Sequence, residues 1–187
     1  MGEEQFKTPA FKCSTVNRDL HTVAAGPGGR IYGVGSYNNF VFGPAAGKGS
    51  RQEFVYNIYD YETVGTRLYF GGYPNARLGC FDTAKPENLG AAKEIWSNTT
   101  ADRNPREVLC IYNLKGGEGP QPDLLKMKRL WSIATGADGL LWLGCSATRQ
   151  ARGGALVAFD PKTDHPVASF RDNFRYLGIA SVSPIDG

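Results

Sequence analysis

Histidine, methionine and cysteine are scarce in this 187-residue chain: two, two and four residues, with no Cys-x-x-Cys pair. That excludes a zinc ribbon and a dithiol redox motif, and two histidines are too few for a multi-histidine metal centre, so no metal site is expected. Cys13, Cys80, Cys110 and Cys145 are mostly flanked by strand-type residues and read as buried or edge thiols rather than disulfides. No EF-hand spacing of acidic residues is present. Gly28-Gly29 and Asp138-Gly139 are followed by no Lys-Ser/Thr, so they read as tight turns rather than a phosphate loop. The sequence assigns no cofactor. Charge is nearly balanced, 21 basic against 18 acidic residues for a net +3, too small an excess for a nucleic-acid footprint or a membrane-binding surface. No run approaches the roughly 18 apolar residues of a membrane span. The acidic, polar start Met1-Gly-Glu-Glu is no signal peptide, so the chain as written reads as cytoplasmic; a truncated N-terminus would leave secreted or periplasmic locations open.

What the chain has is glycine, proline and aromatics: 24 Gly, 11 Pro and 12 % Phe, Trp and Tyr. That mixture points to many short strands joined by tight turns, an all-β protein. Gly65 to Asp82 is the clearest case, two short apolar runs, Leu68 to Phe70 and Leu78 to Phe81, around a Gly-Gly-Tyr-Pro-Asn turn. Similar units recur. Leu20 to Ala25, Arg30 to Gly35 and Phe40 to Phe42 make one, with an indistinct fourth strand after Pro44. Val55 to Tyr59, Leu68 to Phe70, Leu78 to Phe81 and Ala92 to Trp96 make a second, and Arg129 to Ala134, Leu140 to Gly144, Gly154 to Phe159 and Val167 to Phe170 a third. The Tyr32 to Tyr69 interval matches the roughly 40 residues of a four-stranded propeller unit, and Tyr69 to Trp142 is about twice that. The expectation is therefore a β-propeller fragment of about three four-stranded blades, 19–54, 55–97 and 129–171, with partial blades at both ends. An insertion at 98–128 carries one extra strand near Val108 to Tyr112, and a partial blade at 172–187 opens with Tyr176 to Ala180. Since propellers close with about four to eight blades, missing blades or self-association would complete this one.

Tyr69-Phe70-Gly71-Gly72-Tyr73-Pro74-Asn75-Ala76-Arg77-Leu78, Phe81-Asp82-x-x-Lys85-Pro86, Asn104-Pro105-Arg106 and Gly153-Gly154-Ala155-Leu156-x-x-Phe159-Asp160-Pro161 resemble bacterial seven-bladed propellers of the broad WD40, YVTN and NHL-like superfamily. The resemblance covers most of residues 19–187, though Phe42-Gly43-Pro44 replaces Phe-Asp-Pro in the first unit. It implies an architecture more than an activity, because relatives include sugar-acid lactonases, quinoprotein-type enzymes and polysaccharide lyases.

The loops between second and third strands carry the candidate ligand contacts: Tyr37 and Asn38, then Tyr73, Asn75 and Arg77, then Arg149 and Arg152. Aromatic faces, amides and guanidinium groups suit a sugar ring and its carboxylate, while Tyr, Asn and Gly also populate hairpin loops for turn geometry alone. His21, near the start of a first strand, faces a central channel in one reading and packs at a rim in the other. Asp82 and Asp160 recur at matching places, as turn-forming Asx residues do. Three functions follow: a module binding a carbohydrate or other polar small molecule at these loops, part of a sugar-acid lyase or lactonase-type enzyme, or a protein-interaction scaffold using residues 98–128. The first is the leading expectation.

Overall fold

Strands in this chain are short because a glycine, proline or Asx turn interrupts each apolar run, and such turns join antiparallel neighbours. The computed structural model describes residues 20–35, 38–43, 48–52, 57–88, 95–115, 125–147, 153–174 and 177–185. They form an all-β protein of three four-stranded antiparallel sheets, each ordered as its strands follow in the chain. The first sheet holds β1 (Leu20–Gly26), β2 (Arg30–Gly35), β3 (Asn38–Gly43) and β4 (Lys48–Gln52). The second holds β5 (Ile58–Val64), β6 (Arg67–Gly72), β7 (Arg77–Asp82) and β8 (Arg106–Cys110). The third holds β9 (Met127–Thr135), β10 (Leu141–Ala147), β11 (Gly154–Asp160) and β12 (His165–Phe170).

The core sits between successive sheets. Side chains alternate along a strand, so Leu68 and Phe70 of β6 join Tyr32, Val34, Ile58 and Tyr61 on the side of the first sheet. Tyr69 joins Leu130, Ile133, Leu141 and Leu143 on the side of the third. Burial on both faces is why Leu68 to Phe70 is a continuous apolar run instead of an alternating one, and each such side chain stabilises the fold by about 2 kcal/mol. Polar bonds then fix the order of the sheets. Thr63 Oγ1 donates to the Ala25 carbonyl, Asp60 Oδ2 accepts the Ile133 amide at 2.8 Å, and Glu62 accepts the Thr135 amide at 3.2 Å. At the far end, Arg67 Nη1 donates to the Pro161 carbonyl at 2.8 Å, and Asp164 pairs with both Arg67 and Arg106.

The second sheet departs from the sequence expectation. Its fourth strand is Arg106–Cys110, paired with β7, whereas Ile95 and Trp96 open a short 3-10 turn, Ile95–Ser97, buried against Phe70. Residues 92–94 of the expected strand lie outside the described residues. A two-residue apolar pair has no periodicity, so a buried turn and a strand end read alike. The strand expected near Val108 to Tyr112 is thus the sheet's own fourth strand, closed at Ile111–Asn113 by another 3-10 turn. In the first sheet the indistinct fourth strand is β4. At the other end, residues 177–180 form no strand, and Tyr176 lies outside the described residues. Asp82 and Asp160 do cap their turns, accepting the amides of Ala84 at 3.1 Å and Lys162 at 2.8 Å. Asn98 is buried. Among the described residues no helix is long and apolar enough to cross a membrane.

Cys80, Cys110 and Cys145 are free thiols, the first and last of them buried; Cys13 lies outside the described residues. Burial pushes the Cys80 thiol up to about 11 and raises Cys145 further. Since the thiolate is the reactive form, neither should react with an aromatic disulfide reagent near pH 8 in the native protein, and both should react after urea unfolding. Mass spectrometry of the labelled peptides checks this; native labelling at the rate of a free thiol would contradict the burial.

Candidate functional site

The first strand of every sheet carries the same irregularity. Leu20 pairs with Gly35 and Thr22 with Val34, so His21 is the extra residue of a bulge. In β5 Ile58 and Asp60 pair with Gly72 and Gly71, leaving Tyr59, and in β9 Leu130 and Ser132 pair with Cys145 and Gly144, leaving Trp131. All three bulged residues carry rings. A bulge re-aims the side chain of its extra residue and recurs next to functional sites, and here it gathers rings from neighbouring sheets: the Tyr59 and Trp131 centroids are 4.3 Å apart at an interplanar angle of 31°. His21 is exposed and makes no hydrogen bond or ring contact among the described residues.

Two further groups complete a platform around Trp131. Its Nε1 donates to Ser146 Oγ at 2.7 Å, which fixes the indole plane. The Arg129 guanidinium lies 5.4 Å from the Trp131 ring centroid and 5.7 Å from that of Tyr73. Tyr73 is 39 % exposed and Arg129 is exposed. No carboxylate pairs with Arg129 among the described residues, and a guanidinium over an aromatic face keeps its planar fork of donors available. The arrangement offers two ring faces and an unneutralised cation to one ligand.

The loop that presents Tyr73 is held by backbone. The Tyr73 amide donates to the Asn57 carbonyl, the Ala76 amide to Lys128, and the Ile111 amide to Ala76, each at 3.0 Å. Asn75 and Ala76 have φ of 69° and 45°, the left-handed region that Asn tolerates better than most residues. Asn75 Oδ1 accepts from Lys128 Nζ at 3.1 Å, and that ammonium stands 4.6 Å from the Tyr112 ring centroid.

Of the sequence candidates, Tyr73 therefore joins the platform and His21 occupies the equivalent bulge in the first sheet. Asn75 is engaged by Lys128. Arg77 turns inward: it ion-pairs with Glu107 and donates to the Trp96 carbonyl at 3.0 Å. Burial raises the Glu107 carboxyl above its ordinary range, with Arg77 pulling the other way. Asn38 begins β3, its side chain outside what is described, and Tyr37, Arg149 and Arg152 lie outside the described residues. No protein-family model and no curated protein matches the chain. Sequence reading missed Tyr59, Arg129, Trp131 and Ser146. Their signal was the recurring tetrad Leu20-His21-Thr22-Val23, Ile58-Tyr59-Asp60-Tyr61 and Leu130-Trp131-Ser132-Ile133, aliphatic, ring, hydroxyl or carboxylate, apolar.

A separate cavity of about 360 Å³ opens at the other end of β9, lined by Thr135, Trp142, Leu156, Val182 and Pro184 among others. It carries no charged side chain, so it offers a polar ligand less than the platform does.

Proposed function

We propose that the three sheets are consecutive blades of a β-propeller and that the chain is a ligand-binding module, taking a carbohydrate or similar polar, ring-bearing small molecule on the platform of Tyr59, Tyr73, Arg129 and Trp131. The architecture is supported by three sequential four-stranded meanders whose first strands are joined by cross-sheet hydrogen bonds and share one bulge. The observation that carries the binding reading is the exposed Arg129 guanidinium between two aromatic rings. Sugar rings stack on such faces through their C–H edges, and the guanidinium supplies bidentate donors to hydroxyl or carboxylate oxygens.

A glycan array followed by titration calorimetry on the best ligand tests it. Tyr73→Ala and Arg129→Gln are each expected to weaken binding about tenfold, the equivalent of one stacking contact or one charge-assisted hydrogen bond. Both positions are exposed, so circular dichroism and melting temperature should stay at the parent values. Unchanged affinity in both variants, or no binding across acidic and neutral glycans, would overturn the assignment.

A further inference from the structure

The strands of the second and third sheets carry four arginines, and three of them are matched by carboxylates. Arg67 stands opposite Asp82 in the ladder between β6 and β7 and lies 4.0 Å from it, and it also pairs with Asp164. Arg77 pairs with Glu107, and Arg106 with Asp164. Arg129 is different: its ladder partner across β9 and β10 is Ser146, whose hydroxyl is engaged by the Trp131 indole. Directly opposed positions on neighbouring strands are where one charge meets another, and here the partner is neutral. The two acidic side chains of β5, the strand that carries Tyr59, are engaged elsewhere. Asp60 accepts the amides of Tyr61 at 2.9 Å and Ile133 at 2.8 Å, and Glu62 accepts the amide of Thr135 at 3.2 Å and its hydroxyl at 2.5 Å. The carboxylates that could have neutralised Arg129 hold backbone instead.

The next residue along repeats the arrangement. Lys128 gives its ammonium to the neutral Asn75 Oδ1 and to the face of Tyr112. The loop from Tyr73 to Arg77 is thus bordered by two cations, neither paired with a carboxylate among the described residues, and their summed potential favours an anion over a neutral group. The Arg129 guanidinium is also held in advance: two rings, with centroids at 5.4 and 5.7 Å, restrain it, so less side-chain freedom is lost when a planar partner docks. A hydroxyl offers that fork a single oxygen. A carboxylate offers two in one plane, and charge-assisted bonds of this kind are roughly twice as strong as neutral ones.

We propose that the platform selects a carboxylate-bearing sugar, a uronate or another sugar acid, with the ring against Tyr73 and Trp131 and the carboxylate on the Arg129 fork. The inference rests on the binding reading above and adds to it the charge of the ligand and the residue that reads that charge.

The test uses the full chain and matched pairs of oligosaccharides: oligogalacturonate, oligoglucuronate and oligomannuronate, each beside the same oligosaccharide after its carboxyl groups have been reduced to primary alcohols. Calorimetry is expected to show the acidic member of at least one pair binding at least about tenfold more tightly than its reduced counterpart, with the difference shrinking as salt is raised, because both cations are solvent-accessible. Arg129→Gln should remove the difference by weakening the acidic member alone. Arg129→Lys, which keeps the charge without the fork, should retain only part of it. Tyr73→Ala should weaken both members about equally and leave their ratio unchanged, a split that general loss of structure would not produce. Equal affinity within every pair that binds would overturn the proposal while leaving sugar binding by the platform intact. A preference that survived in Arg129→Gln would overturn Arg129 as its source. Silence of all three acidic oligosaccharides beside binding of neutral glycans would also overturn the proposal, whereas silence of the whole glycan array would overturn the binding reading beneath it.

Discussion

Adding one methyl group at position 72 is expected to lower stability by about 3 kcal/mol, the upper part of the range for overpacking, and to lower the melting temperature by about 10 °C for a chain of this size. A Cβ on Gly72 would lie 2.1 Å from the Asn57 carbonyl oxygen, 3.0 Å from its carbon and 3.1 Å from Ile58 Cα. All three are backbone atoms, and the oxygen already accepts the Tyr73 amide at 3.0 Å, so relief requires β5 and β6 to part at the bulge that aims Tyr59. The comparison that isolates the cause is Gly28→Ala. Gly28 has φ of 69° with nothing within 4 Å of its Cβ position, so alanine there meets only left-handed strain, about 1 kcal/mol. Urea unfolding of both variants should separate them by about 2 kcal/mol. Equal losses would mean that the close approach of Gly72 to Asn57 does not exist. Any ligand affinity of the platform should fall with Gly72→Ala as well, because Tyr73 is the next residue along.

The all-β class was legible because its signals are local: 24 glycines, Asx turns and short apolar runs each predict a strand end without reference to the rest of the chain. Eleven of the twelve observed strands overlap runs of this kind, β4 being the exception. What was not legible depends on long-range partners. Ile95 and Trp96 carry the same apolarity in a turn as in a strand, and only the return of Arg106–Cys110 to β7 distinguishes the two. Val55 to Tyr59 was read as a first strand ending where β5 has barely begun, and that shift hid the equivalence of Tyr59 with His21 and Trp131. A bulge leaves no mark in a period-two pattern except a break in alternation. The candidate site divides the same way: Tyr73 and His21 were visible as loop and strand-start residues, while Arg129 acquires its role only when β9 brings it between two rings.

Asn104→Ala is expected to cost a further about 3 kcal/mol by a different route, the loss of a buried side chain that satisfies several backbone groups at once. Asn104 is 5 % exposed. Its Oδ1 accepts the Asp82 amide at 2.8 Å, and its Nδ2 faces the carbonyls of Asp82, Lys85 and Pro86 at 2.9, 3.2 and 3.1 Å. Its backbone exchanges two hydrogen bonds with Asn88 at 2.7 and 3.1 Å. One side chain thus fastens the end of β7 to the start of β8 across the long excursion between them, which is how a strand so far along the chain returns to the second sheet. The substitution that tests this assignment is Asn104→Asp, which conserves shape. It keeps an acceptor for Asp82 but sets the other carboxylate oxygen against three carbonyl oxygens, so at neutral pH it should destabilise at least as much as alanine. Repulsion and burial would hold the new carboxyl above the ordinary range. A raised carboxyl contributes most below its unfolded pKa and loses that contribution as pH rises through the folded one. The aspartate variant should therefore regain stability relative to the alanine variant as the pH is lowered toward about 4, where the acid form donates again. If the two variants kept a constant difference across that range by urea unfolding, the Nδ2 contacts with the three carbonyls would be disproved as the source of the stability.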